Sequence, residues 1–122
     1  MNNVERMKLI YEESFELWVS KSKTYGTLNN PHRNIEFSKD IALEPWKNSL
    51  IKLIDKLSVV YAYLKDENYQ HDESLRENLI DIINYCAISI FFLDINEEEH
   101  EYANIDELLN GMRKIIVDKN RN

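Results

Sequence analysis

Carboxylates and one amide recur at helical spacing in residues 72–93, DESLRENLIDIINYCAISIFFL. At about 100° per residue, Glu73, Glu77, Asp81 and Asn84 fall within roughly 80° of one another and form one polar stripe on a helix. Most other positions in this segment are apolar, and a helix that is apolar on nearly all sides is normally buried. Because an unpaired buried carboxylate is costly, Asp81 needs a cation, a metal ion or strong hydrogen-bond donors.

A second set of acids lies in residues 11–18, YEESFELW, where Glu13 and Glu16 share a helix face with leucines. Two antiparallel helices that brought these two residues close to Glu77 and Asp81 would place four carboxylates in one site. Such groups repel one another unless a hard divalent cation is present. Oxygen ligands favour Mg²⁺ or Mn²⁺ over Zn²⁺, so the sequence predicts a magnesium or manganese site.

The alternative is that these acids are hydrated or paired with lysines. Acids on helices are commonly solvated or lie one turn from a lysine. Lys21, Lys52 and Lys56 are the candidate partners in this sequence. This interpretation requires no metal ion.

Length and composition limit the class of protein. A chain of 122 residues with 43% hydrophobic content fits one folded domain, and we find no apolar run that we expect to cross a bilayer. We see no secretory signal, and a single cysteine cannot form an internal disulfide, so we expect a cytoplasmic protein. The net charge of −7 argues against binding to nucleic-acid polymers.

The apolar periodicity predicts an all-α bundle of about four helices. Asn3 is a candidate N-cap for the first helix, and Pro45 suits the first turn of the second. We place the helices at about 4–24, 45–64, 73–93 and 105–117, with an irregular connector at 27–44 and an acidic linker, EEEHE, at 97–101. Since four helices are too few to cover an apolar third helix, we expect a homodimer or larger assembly.

Four short motifs occur in a fixed order: EESFE, KSKTYG, LIKLIDKLS and DESLRENLIDIINYCAI. Together they resemble the MazG-like all-α NTP pyrophosphatase superfamily, and are most similar to its phage and bacterial branch described as a nucleotide-modification-associated domain. The resemblance covers residues 5–93. It implies a MazG-like nucleotide-binding core over residues 1–95, with residues 96–122 as an acidic linker and C-terminal helix of the same domain.

The resemblance assigns roles to individual residues. It implies that two acidic pairs bind Mg²⁺, that a Lys-x-Tyr-Gly element lies beside the nucleotide, and that the DKL element and the Asn-Tyr pair also belong to the site. We add Trp46 as a flat surface for a base and Lys52 as a cation near the motifs. The implied metal ligands are Glu13, Glu16, Glu77 and Asp81; the candidate bases are Glu12 and Glu16; the nucleotide-binding candidates are Lys23, Tyr25, Trp46, Lys52, Lys56 and Asn84.

Three functions are consistent with the sequence. The first is a Mg²⁺-dependent pyrophosphohydrolase that converts a nucleoside triphosphate to the monophosphate and pyrophosphate. The second is a non-catalytic nucleotide-binding sponge, such as a phage anti-defence protein that sequesters a nucleotide immune signal. It is favoured by Val59, which stands where relatives often have an arginine, and by the short, asparagine- and isoleucine-rich chain. The four-residue spacing of Glu77 and Asp81, where many relatives use three, is expected only to shift the metal. The third is a helical interaction protein with solvated acids.

Overall fold

A computed structural model describes residues 1–25 and 31–119, without the side chains of residues 25, 99–104, 118 and 119. The described chain is helical and contains no strand, so the prediction of an all-α fold is confirmed. The elements are α1 (Asn3–Tyr25), α2 (Arg33–Glu36), a 3₁₀ helix (Phe37–Ile41), α3 (Pro45–Lys65) and α4 (Leu75–Lys119).

Local side-chain chemistry defines the beginning of each long helix. Asn2, one residue before the predicted cap, accepts a hydrogen bond from the Glu5 N–H at 2.8 Å, and the Glu5 carboxylate accepts one from the Asn2 N–H at 3.2 Å. This reciprocal capping box satisfies two N–H groups that the helix leaves free. Pro45 begins α3 as predicted. Ser74 accepts from the Glu77 N–H at 3.1 Å and caps α4.

The prediction of two separate C-terminal helices is wrong. Helix α4 runs without interruption through the acidic segment that we interpreted as a linker. The physical reason is that no proline or glycine occurs between Leu75 and Asn110, and glutamate is a good helix former. Negative charge alone therefore did not end the helix.

The chain divides into two compact units, Met1–Ile90 and Phe91–Asn122. The first contains α1, α2, the 3₁₀ helix, α3 and the first part of α4. The second contains the remainder of α4. This division falls within the helix, five residues before the predicted boundary at residue 95, and each unit is described separately below.

The interior of the first unit contains more polar than apolar side chains. Its buried hydrophobic residues are Ile35, Ile80 and Ile88. Small hydroxyl side chains occupy much of the remaining interior and bond to carbonyls of their own helices, as in Ser22 to Trp18 O at 2.8 Å. The buried polar residues are Ser14, Ser22, His32, Ser38, Ser49, Asn78, Asp81 and Ser89.

Two of these serines form a buried contact between α3 and α4. The hydroxyls of Ser49 and Ser89 are 2.7 Å apart, and Ser49 is completely buried. We expect Ser49→Leu to lower the free energy of unfolding by about 1–3 kcal/mol, since extra methylenes must force the helices apart. Denaturant unfolding measures this change. Ser49→Ala is the control, because Ser89 keeps its bond to Tyr85 O; an equal loss in both variants would contradict the packing argument.

The predicted apolar stripes of α1 and α3 exist, but in the described part of the chain they remain largely exposed. On α1 the exposed residues include Val4, Met7, Tyr11 and Phe15; on α3 they include Ile54, Leu57, Tyr61 and Leu64. Cys86, which belongs to the segment 72–93 whose apolar pattern predicts a buried helix, is also exposed. In the described part of the chain, the first unit therefore has two apolar helix faces, on α1 and α3, that no other residues cover.

One stretch of α4, Leu75–Glu98, is long and apolar enough to cross a membrane by length and composition. This corrects the expectation that the chain has no such run. The core helix of a water-soluble protein meets the same criteria. Within this stretch, Asp81 forms ion pairs with lysines of α1 and α3, as described next.

Candidate functional site

Asp81 lies at the point where the three long helices meet in the first unit. Its side chain is only 5% exposed, and its two oxygens contact different lysines. Oδ1 accepts a hydrogen bond from Lys21 Nζ of α1 at 2.9 Å, and Oδ2 lies 2.9 Å from Lys56 Nζ of α3. Of the partners expected for a buried Asp81, namely a cation, a metal ion or strong donors, the structure shows cations, which are two of the three lysines named as candidates.

The ion pairs determine the charge state of this cluster. Burial by itself raises the pKa of Asp81, but the hydrogen bonds from Lys21 and Lys56 outweigh burial and hold the pKa below its usual value. Burial likewise opposes the charge of Lys56, and its bonds to Asp81 and Glu73 hold its pKa above the usual value. Asp81 and Lys56 are therefore both ionised at neutral pH.

A second, more exposed ion pair connects α1 to α4. Arg76 donates two hydrogen bonds to the Glu13 carboxylate, at 2.8 Å and 2.5 Å, in the bidentate geometry that suits guanidinium and carboxylate. The bond from Arg76 lowers the pKa of Glu13. Glu13, predicted as a metal ligand, thus has a cationic partner in this structure.

The four predicted metal ligands line one cleft, which we call the carboxylate cleft. It has a volume of about 570 Å³. The cations Lys21 and Arg76 also line it, so positive charge lies among the acids. The lining residues are Glu13, Glu16, Leu17, Lys21, Glu73, Arg76, Glu77, Ile80 and Asp81. Among the residues described, no three acidic, histidine or cysteine side chains are close enough to hold a metal ion as they stand.

A smaller cavity of about 300 Å³, the aromatic cavity, lies beside the cleft. Trp18 and Tyr85 provide ring surfaces, and the Trp18 indole N–H donates to Nε2 of the buried His32 at 2.8 Å. The cavity is lined by Trp18, Lys21, Ser22, Pro31, His32, Asn34, Ile35, Lys52, Asp81, Asn84, Tyr85 and Ile88. It brings rings, amides and cations together around a space of small-molecule size.

The protonation of the cavity follows from its contacts. His32 Nε2 accepts the indole bond, and burial lowers the pKa of His32, so the imidazole is neutral at pH 7. Burial raises the pKa of Tyr85, so its phenol keeps its proton. The Asn84 side-chain nitrogen is buried and has no hydrogen-bond partner among the described residues. This unpaired donor destabilises the folded chain, as a buried polar group without a hydrogen-bond partner generally does.

Lys21 and Asp81 line both the cleft and the cavity. The 2.9 Å ion pair between them is therefore the shared wall of the two spaces. A ligand whose aromatic end lies in the cavity and whose anionic end lies in the cleft must therefore contact Lys21 and Asp81. The arrangement combines a ring-lined space with a charged one.

Other predicted site residues lie elsewhere. Glu12 is 3.7 Å from Lys8 and faces the exposed apolar side of α1, away from the carboxylate cleft. Lys23 is exposed and lines neither space. Trp46 donates to Glu44 and contacts Lys47, and it also lines neither space. The side chain of Tyr25 lies outside the described residues.

Sequence reasoning named Lys52, Lys56 and Asn84 as candidates and included Tyr85 only as part of the Asn-Tyr pair. It did not assign His32 or Arg76 to the site. Tyr85 follows Asp81 by one helical turn, so helical spacing carried a signal for it. His32 and Arg76 reach the site through contacts with residues 14 and 63 positions away. No local pattern could have shown those contacts.

Comparison of the chain with protein-family models, curated proteins and solved structures finds no match. The resemblance to the MazG-like superfamily therefore rests on the four motifs. Its functional content is taken up as a proposal below.

Proposed function

We propose that this chain is a nucleotide-binding protein with a MazG-like site, acting as a Mg²⁺-dependent nucleoside triphosphate pyrophosphohydrolase. One observation carries the proposal: the aromatic cavity adjoins the carboxylate cleft across the Lys21–Asp81 pair. The cavity accepts the base, and the cleft accepts the phosphates with their cation. A nucleotide combines a flat ring with an anionic chain in this way.

Ligand recognition in the cavity uses groups that are already oriented. Trp18 and Tyr85 provide the apolar ring surface for a base. The Asn84 nitrogen, which lacks a partner among the described residues, donates to a ring acceptor. Lys21, which lines both spaces, provides positive charge for the phosphates, and Lys52 adds a cation at the wall of the cavity. These contacts offset the repulsion expected between an anionic ligand and a chain of net charge −7.

The donors of the carboxylate cleft have the chemistry that Mg²⁺ or Mn²⁺ requires, since they are all carboxylate oxygens. Glu16 and Glu77 line the cleft with Asp81, whereas Glu13 is held by Arg76. When bound, the metal would neutralise phosphate charge and acidify a water molecule. Asp81 must give up one of its lysines before it can bind the metal.

In the hydrolytic reaction, a carboxylate accepts a proton from the attacking water, and the products are a nucleoside monophosphate and pyrophosphate. Of the two candidate bases, Glu16 lines the cleft and Glu12 does not. Glu16 is therefore the residue to which the proposal assigns this role.

A non-catalytic nucleotide-binding sponge is the second candidate, and a specific observation favours it. Three of the five acids that line the cleft, Asp81, Glu13 and Glu73, contact cationic side chains, so the chain itself neutralises part of the negative charge of the cleft. Such a cleft holds a nucleotide through lysines and does not require a metal. In this form the chain would sequester a nucleotide signal without converting it.

The proposal is tested by calorimetric titration of the full chain with a panel of nucleoside triphosphates and cyclic nucleotides in Mg²⁺. We expect at least one to bind, and Asn84→Leu to weaken that binding by about tenfold because it removes the buried donor. Mass spectrometry of the incubated nucleotide distinguishes the candidates: monophosphate supports the enzyme, and unchanged ligand supports the sponge.

Two lysine variants serve as a matched pair in the same titration. The resemblance places Lys23 beside the nucleotide, whereas Lys52 lines the cavity. We expect Lys52→Ala to weaken binding more than Lys23→Ala. If no nucleotide in the panel binds to the wild-type chain, both nucleotide functions are wrong and the helical interaction protein remains.

The proposal also includes a cytoplasmic homo-oligomer. The exposed apolar faces of α1 and α3 support self-association, because large apolar areas on a water-soluble protein usually mark interfaces. Light scattering of the full chain at micromolar concentration measures the mass.

A further inference from the structure

The second unit carries an apolar stripe on the C-terminal part of α4. Six side chains on this stripe are between 43% and 65% exposed: Ile105, Leu108, Leu109, Met112, Ile115 and Ile116. At about 100° per residue they fall within an arc of roughly 120°. An arc of this width on a three-turn segment is typical of a helix that packs against one other helix.

Charged residues flank this stripe in a defined order. Asp106 and Arg113 lie on the same edge, about 100–120° from Met112 at the centre of the arc. Glu107 and Lys114 lie on the opposite side of the helix, away from the stripe. The edge therefore has an acid near its beginning and a base two turns later, with apolar residues beside both.

Gly111 lies beside the middle of the stripe. A methyl group added at this position would have no heavy atom of this chain within 4 Å, so the packing of the described chain does not require a glycine there. Glycine costs about 1 kcal/mol relative to alanine inside a helix. A second helix that approaches closely at the midpoint of the stripe would account for the absence of a side chain.

We propose that this stripe pairs antiparallel with the same stripe of a second copy of the chain. In an antiparallel pair with two-fold symmetry, equivalent edges face each other and run in opposite directions. Asp106 then lies beside the partner's Arg113, and Arg113 lies beside the partner's Asp106. The charge order of one edge is complementary to itself only in this orientation. A parallel pair puts like-numbered residues at the same height and forms neither ion pair.

The test is sedimentation equilibrium of the full chain and of charge-reversed variants. We expect the wild type to self-associate, and Asp106→Arg and Arg113→Asp each to weaken association by about tenfold, since each creates two like-charged contacts per dimer. The double variant Asp106→Arg, Arg113→Asp should recover wild-type association. A mixture of the two single variants should form mixed dimers, because each then supplies the charge that the other lacks.

Glu107→Arg and Lys114→Asp are matched controls that make the same kinds of charge change on the opposite face. They should leave association within about twofold of wild type. The proposal is overturned if the wild type is monomeric, if the controls weaken association as much as the edge variants, or if the double variant does not recover. If the wild type is a monomer and Met112→Asp lowers its free energy of unfolding, the stripe packs against residues of the same chain. Since no nucleotide is present, these outcomes are independent of the proposed nucleotide binding, although a monomeric wild type would also contradict the proposed homo-oligomer.

Discussion

Asp81→Ala is expected to lower the free energy of unfolding by about 3 kcal/mol or more, because it leaves Lys56 without one of its two acidic partners in a largely buried position. Lys56 would keep only Glu73, at 2.9 Å. Lys21 contributes less to this loss, since its side chain is 45% exposed and water can solvate it. Chemical denaturation at neutral pH and fixed protein concentration measures the change.

Two further variants isolate the cause of this loss. Asp55→Ala removes an exposed aspartate from α3 and should change the stability little. The double variant Asp81→Ala, Lys56→Met should be more stable than Asp81→Ala alone, because it removes the buried charge that lost its partner. Equal stability of the double variant and Asp81→Ala would contradict this explanation.

The pH dependence of unfolding reports the same ion pairs. The pKa of Asp81 is lower in the folded state than its ordinary value of about 3.9. Its stabilising contribution is therefore fully present above that ordinary value and is lost as the pH falls through the folded-state pKa. The difference in unfolding free energy between wild type and Asp81→Asn should shrink over this acidic range. A difference that stays constant or grows on acidification would contradict the assignment.

Lys21→Met is expected to increase the affinity for Mg²⁺ by about tenfold in the absence of nucleotide. Lys21 and a metal ion compete for Asp81, and removing a unit charge at ion-pair distance changes such an equilibrium by at least a pK unit. Lys56 keeps Asp81 paired in this variant, so the fold is retained. Isothermal titration with Mg²⁺ or Mn²⁺ measures the affinity. The same variant should bind a triphosphate more weakly, because Lys21 lies at the wall of both spaces.

Lys8→Met is the matched control for the metal titration. It removes a lysine from α1 that lies near Glu12, on the face directed away from the carboxylate cleft. It should leave the affinity for Mg²⁺ unchanged. A Lys21→Met chain that binds Mg²⁺ no better than the wild type would contradict competition for Asp81, and the absence of any metal binding would favour the sponge.

The long helices were predictable where local chemistry controls them. Pro45 defined the beginning of α3, and apolar periodicity gave the extent of α1. The continuity of α4 was missed because we treated a run of acids as a linker, although helix propensity does not require a break there. The short helices between residues 33 and 41 were also missed, since four or five residues are too few for a periodic pattern.

The candidate site was predictable in part. The stripe that contains Asp81 indicated that a buried acid needs a cation, and that inference requires only the sequence around it. Which cation it meets depends on how α1 and α3 pack against α4, with partners 60 and 25 residues away in the chain. The bond between Trp18 and His32 likewise depends on tertiary structure. Periodicity identifies a face of a helix but not the residue opposite it.

The abundance of buried serines in the first unit has a calorimetric consequence. The heat-capacity change on unfolding comes mainly from newly hydrated apolar surface and is reduced by newly hydrated polar surface. Within the first unit the buried hydrophobic residues are Ile35, Ile80 and Ile88, whereas serines, an asparagine and an aspartate occupy much of the rest. We therefore expect a small heat-capacity change for this unit, and a free energy of unfolding that varies little with temperature. Covering the exposed apolar faces of α1 and α3 would increase the heat-capacity change, and the free energy of unfolding would then vary more strongly with temperature.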